Sequence, residues 1–241
     1  MAITAAEIFT RAASVLQDDT HARWPLKEMV RWLNDAMREV VLQKPNANAR
    51  TVIMALQAGT YQTISNTDLA LLRVIRNTKS SNSTVRAGGR AIRVINREIL
   101  DSQHPDWHDT DITPPVDVVK HAAFDIADPR VFYVYPPNTG DGFVEISVSS
   151  APAAIPLGSP DPEDIDEYNS EISLPDIYAN AILDYVLYRA YLKDAQFAGN
   201  SQRAAAHYQQ FANSLQMKVN VEALANPNIT ARAEPPVGVA P

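Results

Sequence analysis

The stretch His104-Pro105-Asp106-Trp107-His108-Asp109-Thr110-Asp111 concentrates the side chains best suited to chemistry. Two imidazoles and three carboxylates within eight residues are donors for a borderline or hard divalent metal. A hydrolytic centre would need those donors in a cage with one position left open for water. A Pro-containing local cluster does not build such a cage without distant ligands, and His21, His121 and His207 are scattered along the chain. The competing reading is a turn in which Asp side chains accept from backbone N–H groups and Trp107 anchors the loop to a core. We adopt the turn, and expect no enzyme: no catalytic residue, no metal ligand and no cofactor.

Other candidate chemistry is thinner. The chain has no Cys, which removes thiolate nucleophiles, disulfides and Cys-ligated zinc. Gly88-Gly89 lacks the spaced glycines and the Lys-Ser/Thr of a phosphate loop, and no Gly-x-Ser-x-Gly elbow occurs. Asp161, Glu163, Asp164, Asp166, Glu167 and Glu171 form an acidic run over 156–171 with no Lys or Arg among them. It fails as an EF-hand, because no Gly takes the sixth loop position and Pro162 intrudes. We read it as a solvated acidic face; on the bore of a ring it would repel phosphate and keep passing DNA from sticking. Arg86, Arg90 and Arg93 offer a contact for nucleic acid; the reading we prefer is that they are exposed and pair with acidic surfaces, including a partner's. With 21 Lys+Arg against 28 Asp+Glu the net charge is −7, and no basic tract is present. That balance argues against sequence-independent binding along a nucleic-acid backbone.

The elements that must position these groups follow from periodicity. The 241 residues are 46 % hydrophobic and 20 % charged, an ordinary globular composition. No run approaches the roughly 20 apolar residues a membrane span needs. The N-terminus lacks the basic and apolar regions of a secretory signal and reads as the start of a helix. Thr4-Ala5-Ala6-Glu7 is a capping box for a first helix, and Pro25 suits the first turn of a second, striped by Leu26, Met29, Val30, Leu33, Met37, Val40 and Val41. These two are expected to pack as an antiparallel pair.

From about 50 to 155 the period changes. Thr51–Leu56, Tyr61–Ile64, Leu72–Arg76, Arg130–Tyr135 and Phe143–Val148 read as strands. Ala58-Gly59 and Gly140-Asp141-Gly142 read as turns between neighbours, and Pro136-Pro137 as a strand end. Ser80–Gly89 is a polar loop. Ser173 and Asp176 are expected to cap a third helix, apolar almost all round from Ile177 to Leu192, and Ser201 a fourth, striped by Ala204, Tyr208, Phe211, Leu215 and Val219. The aromatic stripe of Tyr178, Tyr185, Tyr188, Tyr191, Tyr208 and Phe211 is expected to be bundle core. The third helix looks more apolar than one bundle can cover, which argues for self-association.

The expected fold is therefore α+β and mainly helical: a four-helix bundle with an inserted β-rich module and an extended C-terminal arm. Its parts are an N-terminal helical pair (1–49), the β-rich module (50–155), an acidic linker (156–171), a C-terminal αα-hairpin (172–222) and a Pro-rich arm (223–241). The arm has too little apolar surface to fold alone, so it orders on a partner or not at all.

Several runs, in their order along the chain, resemble a family of tailed-bacteriophage head-to-tail adaptor (connector) proteins. They are Trp24-Pro25-Leu26, Trp32-Leu33-Asn34-Asp35-Ala36, Arg97-Glu98-Ile99-Leu100-Asp101 with Pro105-Asp106-Trp107-His108, and Asp128-Pro129-Arg130 through Pro136-Pro137. The longest is Ser173-Leu174-Pro175-Asp176-Ile177-Tyr178-Ala179-Asn180-Ala181, continuing through Tyr188-Arg189-Ala190-Tyr191 to Ala206-His207-Tyr208. The resemblance covers roughly residues 4–220. It implies a virion structural protein of the neck, made in the bacterial host cytoplasm, that assembles as a homo-oligomeric ring, typically a dodecamer. The ring joins the portal protein to tail or nozzle proteins and keeps a channel open through which DNA passes without specific binding; no membrane is involved. The family's C-terminal arm reaches along the portal, and we assign Ile229, Val237 and Val239 as its apolar anchors. The Ser80–Gly89 loop is the candidate tail-side contact. Two alternatives stand beside this: another phage neck or tail-completion protein, and a metal-dependent hydrolase built on His104–Asp111.

Overall fold

A computed structural model describes residues 3–81, 87–124 and 127–225. In chain order the elements are α1 (Ala5–Leu16), α2 (Leu26–Gln43), β1 (Ala49–Ala55), β2 (Gly59–Thr63), β3 (Asp68–Thr78), β4 (Gly88–Ala91), β5 (Arg93–Val94), α3 (Arg97–Gln103), β6 (His121–Phe124), β7 (Val131–Asn138), β8 (Phe143–Ser150), α4 (Ala179–Lys193) and α5 (Asn200–Ala225). They fall into two compact units, one from residues 1–44 and 152–241, the other from residues 45–151.

The first unit is helical. α1 starts at Thr4, whose hydroxyl accepts from the Glu7 N–H at 3.2 Å, the hydroxyl half of the expected capping box. The Glu7 carboxylate pairs with Arg11 one turn on. After α1, the Asp18 carboxylate accepts from the N–H groups of Ala22, Arg23 and Trp24 at 3.1, 2.9 and 3.0 Å. Burial pushes its pKa up, but the three donors outweigh that and hold it below the ordinary value. Pro25 sits at the cap of α2, not inside its first turn, and offers no side-chain acceptor. Glu163 supplies one: its Oε2 accepts from the Leu26 N–H at 2.8 Å, placing a negative charge at the positive end of the helix.

α4 is the hub of this unit. Ala181, Ile182, Val186, Leu187 and Ala190 are buried on it, and α1, α2 and α5 all pack against it. A helix apolar on every side needs several neighbours, and here it has three. Most of its surface is covered within the chain, while Leu192 in its last turn and Ile177 just before it are exposed. Ser173 does not cap it. A 3-10 turn over Asp176–Tyr178 leads into the helix, and Asp176 Oδ1 instead accepts from the Ile3 N–H at 2.8 Å. The 156–171 stretch is more than a linker, because Tyr168 is fully buried in it, edge-on to Phe9 at 5.4 Å and donating to the Pro162 carbonyl at 2.8 Å.

The mainly helical four-helix bundle expected from the sequence is not what forms. The fold is α+β, with about 40 % helix and 25 % strand in two sheets. α1 and α2 make little mutual contact, and α5 lies mainly along α4. Apolar spacing identifies helices without saying which faces meet. Because α4 is apolar all round, α1 and α2 each pack more against it than against each other.

The second unit holds two four-stranded sheets, ordered β1-β8-β3-β4 and β2-β7-β6-β5, antiparallel except for the β5–β6 pair. Leu56, Ile64, Val74, Phe132, Val134 and Ile146 belong to its core cluster. Neither turn joins neighbouring strands into a hairpin; both make corners. β1 pairs with β8 and β2 with β7, so Ala58-Gly59 and Gly140-Asp141-Gly142 each carry the chain from one sheet to the other. Gly59 and Gly140 take φ of 93° and 104°, where a side chain would be strained. Asn138 ties the corner: its Oδ1 accepts from Gly140 and Gly142, and its Nδ2 donates to the carbonyls of Val116 and Asp117. β7 also runs through Pro136-Pro137, which lie in a break of register with β2 and beyond the last pair with β6, where the ladder asks for no N–H.

Gly88-Gly89 has a packing role. A Cβ on Gly88 would meet the Arg76 guanidinium, and one on Gly89 would lie 3.0 Å from the Asn77 carbonyl, so the pair lets β4 lie close on β3. Beside it the buried Asn77 side chain donates to the Arg90 and Val119 carbonyls at 2.9 and 2.8 Å and accepts from the Val119 N–H at 3.0 Å. Asn77→Ala strands three backbone groups and is expected to cost about 2–3 kcal/mol in a urea melt. A loss below about 0.5 kcal/mol, the size of a surface substitution, would contradict that role.

Candidate functional site

The His104–Asp111 stretch follows α3, whose N-cap Asn96 accepts from the Glu98 N–H at 3.1 Å. Trp107 is fully buried with Leu100 and Ala123, and packs against Ile95, Tyr133 and Tyr135. Its indole N–H donates to Asp101 Oδ1 at 2.8 Å. The His104 ring stacks on Tyr135 with centroids 5.5 Å apart. His108 lies against Trp107 at 3.7 Å, and its Nδ1 is 2.7 Å from the Thr60 hydroxyl oxygen. Asp109 Oδ1 accepts from the Asp111 N–H at 2.9 Å, and the Asp106 carbonyl from the Asp109 N–H at 3.0 Å. This is the anchored turn, with both imidazoles engaged by aromatic rings. Among the described residues no three of His, Asp and Glu are grouped so as to hold a metal ion.

A second cluster lies across β4, β5 and β6. Arg90, Ala91, Arg93, Lys120 and His121 line a cavity of about 320 Å³. The parallel register sets Arg93 beside His121. Arg90, Arg93 and Lys120 are exposed, and their charged ends meet no carboxylate among the described residues. The His121 ring stacks on Tyr135 at 6.2 Å, and its Nδ1 is buried without a hydrogen-bond partner among those residues. Of the three arginines expected to face a partner, Arg90 and Arg93 line this cavity and Arg86 lies outside the described residues. Lys120 and His121 were not legible as members, because only the β5–β6 pairing brings them in.

Both His108 and His121 take up a proton less readily than an ordinary histidine. Shielding from water lowers each pKa first; Arg97 adds to it at His108, against a weaker opposing pull from Asp101, and Arg93, Arg90 and Lys120 add to it at His121. An unfolded chain therefore binds more protons at these two sites. Their contribution to stability is full above about pH 6.5 and is lost as pH falls from there through the lowered folded values. Urea midpoints should drop on acidification across that window, and less so in His108→Asn/His121→Asn. A midpoint that is flat or rises on acidification contradicts the assignment.

The acidic run is exposed at Asp161, Glu163, Asp164, Asp166, Glu167 and Glu171. Asp161 and Asp164 accept from the N–H groups of Glu163 and Asp166 at 2.9 and 3.0 Å. The aromatic stripe forms the α4–α5 seam: Tyr178, Tyr185, Tyr191 and Phe211 are buried, and Tyr208 is exposed at its edge. No helix among the described residues is long and apolar enough to cross a membrane. Ile229, Val237 and Val239, and residues 82–86 of the polar loop, lie outside the described residues.

Residues 3–232 match the SU10 adaptor protein family. The chain belongs to that family. Membership makes it a phage structural adaptor, a virion component near the head–tail junction that works through contacts with other virion proteins. No curated protein matches the chain. A turn that anchors a tryptophan, a basic cavity and an acidic face suit an adaptor, whose work is done by surfaces.

Proposed function

We propose that the chain assembles as a ring of twelve copies that joins the portal protein to the tail and leaves an axial channel for DNA. The observation that carries this reading is the family match over residues 3–232, which takes in both units and continues past the end of α5. Its action is binding, with no catalytic step. Lateral contacts build the ring, and residues 223–241 form an arm that docks along the portal, with Ile229, Val237 and Val239 as apolar anchors. Four prolines support a pre-extended arm: Pro227, Pro235, Pro236 and Pro241 are spaced along a segment with no apolar period, so little entropy is lost on docking. Each copy adds one arm, and weak single contacts sum across the ring.

Truncation after Ala225 tests the arm. The shortened chain should melt as the full chain does but bind portal about 100-fold more weakly or worse, the scale at which linked contacts multiply. Equal binding by the two chains would remove the arm from the account.

A further inference from the structure

We propose that the cavity lined by Arg90, Arg93, Lys120 and His121 is a carboxylate-binding site, and that its occupant is the acidic run 161–171 of a second copy of this chain. The inference deepens the ring reading and rests on it, because it names the lateral contact.

Three exposed cations share a space of about 320 Å³ with no carboxylate among the described residues. Like charges held together in this way repel one another and are relieved by an anion. The buried Nδ1 of His121 adds an unused polar atom at the same place. The chain itself carries the matching surface. Its run from 156 to 171 exposes six carboxylates without a Lys or Arg among them, of which Glu163 already serves the Leu26 N–H and Lys27, in a protein whose net charge is −7. Two copies therefore repel each other in general and attract only where the basic cavity meets the acidic run. A nucleic-acid backbone is the poorer occupant. It is tracked by basic stripes many phosphates long, whereas these cations are confined to one cavity on an acidic chain. The two surfaces are different parts of one chain, so their contact is head-to-tail. Repeated with rotation, a head-to-tail contact closes into a ring, which a self-complementary patch does not do.

The test uses the full chain without portal, by sedimentation at low and high salt. Wild type should self-associate at low salt and come apart as salt is raised. Arg93→Glu/Lys120→Glu and Asp164→Lys/Asp166→Lys should each weaken association by about tenfold or more, since like charges then face each other. The chain carrying all four substitutions should regain association, because the charges are exchanged and still opposite. Thermal melts establish that each variant is folded. His121 gives a second reading: its ring should titrate at higher pH in the associated state than in the monomer, as carboxylates enter beside it. Wild type that stays monomeric at low salt overturns the inference, as does loss in neither pair of substitutions or no recovery in the fourfold variant. Tight binding of inorganic phosphate or a single-stranded oligonucleotide at His121, with self-association untouched by the substitutions, overturns it in favour of a phosphate site. The ring on the portal is read separately by imaging, so the ring stands or falls independently of this contact.

Discussion

Trp107→Ala should destabilise the β-containing unit by about 3–5 kcal/mol, the range for deleting a fully buried large aromatic. The side chain fills the space between α3 and the face formed by Ala123, Tyr133 and Tyr135, and its indole N–H holds Asp101. Removing it opens a cavity and leaves the His104–Asp111 turn without its anchor. Substituting the metal-like residues should do far less. His104→Ala loses one stacked contact and Asp109→Ala one exposed turn bond, each about 1 kcal/mol or less. Excess chelator should leave the melting temperature where it was. A metal centre predicts the reverse order: a large loss on chelation and at His104 and Asp109, with Trp107 secondary. Denaturant midpoints for the three variants, with and without chelator, separate the two.

Phe211→Ala should cost about 3–5 kcal/mol in the helical unit. Phe211 is fully buried, 5.2 Å from the Tyr185 ring and 6.0 Å from Tyr208. α5 has little besides α4 to pack against, so Ala204, Phe211 and Leu215 carry its attachment. The loss should therefore be local before it is global: amide exchange should rise along 200–220 first, while α1 and α2 keep their protection. Uniform exchange across all four long helices would show that α5 is bound into the unit more evenly than this packing implies. Because α5 leads into residues 226–241, the same variant should also weaken portal binding if the arm acts from a fixed base.

What was legible in the sequence was mostly what is local. The stripe of α2 and the all-round apolarity of α4 are periodic signals, and they correctly gave two helices and the need for several neighbours. Trp107 among acidic turn residues was readable as an anchor, since a large aromatic in a polar loop has one obvious use. Pairing was not readable. Ala58-Gly59 has the composition of a hairpin turn, but whether the strands flanking such a turn bond to each other or bend into different sheets depends on register with β7 and β8, far along the chain. The cap of α2 shows the same limit, because Glu163 stands 137 residues from the Leu26 N–H it serves. The basic cavity was half visible. Arg90 and Arg93 are close in sequence, but Lys120 and His121 join them only through the parallel β5–β6 pair.

The central claim is the ring between portal and tail. Its most direct measurement is single-particle imaging of the full chain mixed with its cognate portal, beside each component alone. The account predicts a symmetric ring of twelve copies seated on the narrow end of the portal, with an open axial channel and density running from the ring along the portal surface. A chain that remains a monomer and leaves the portal bare under conditions where both proteins are folded would contradict it.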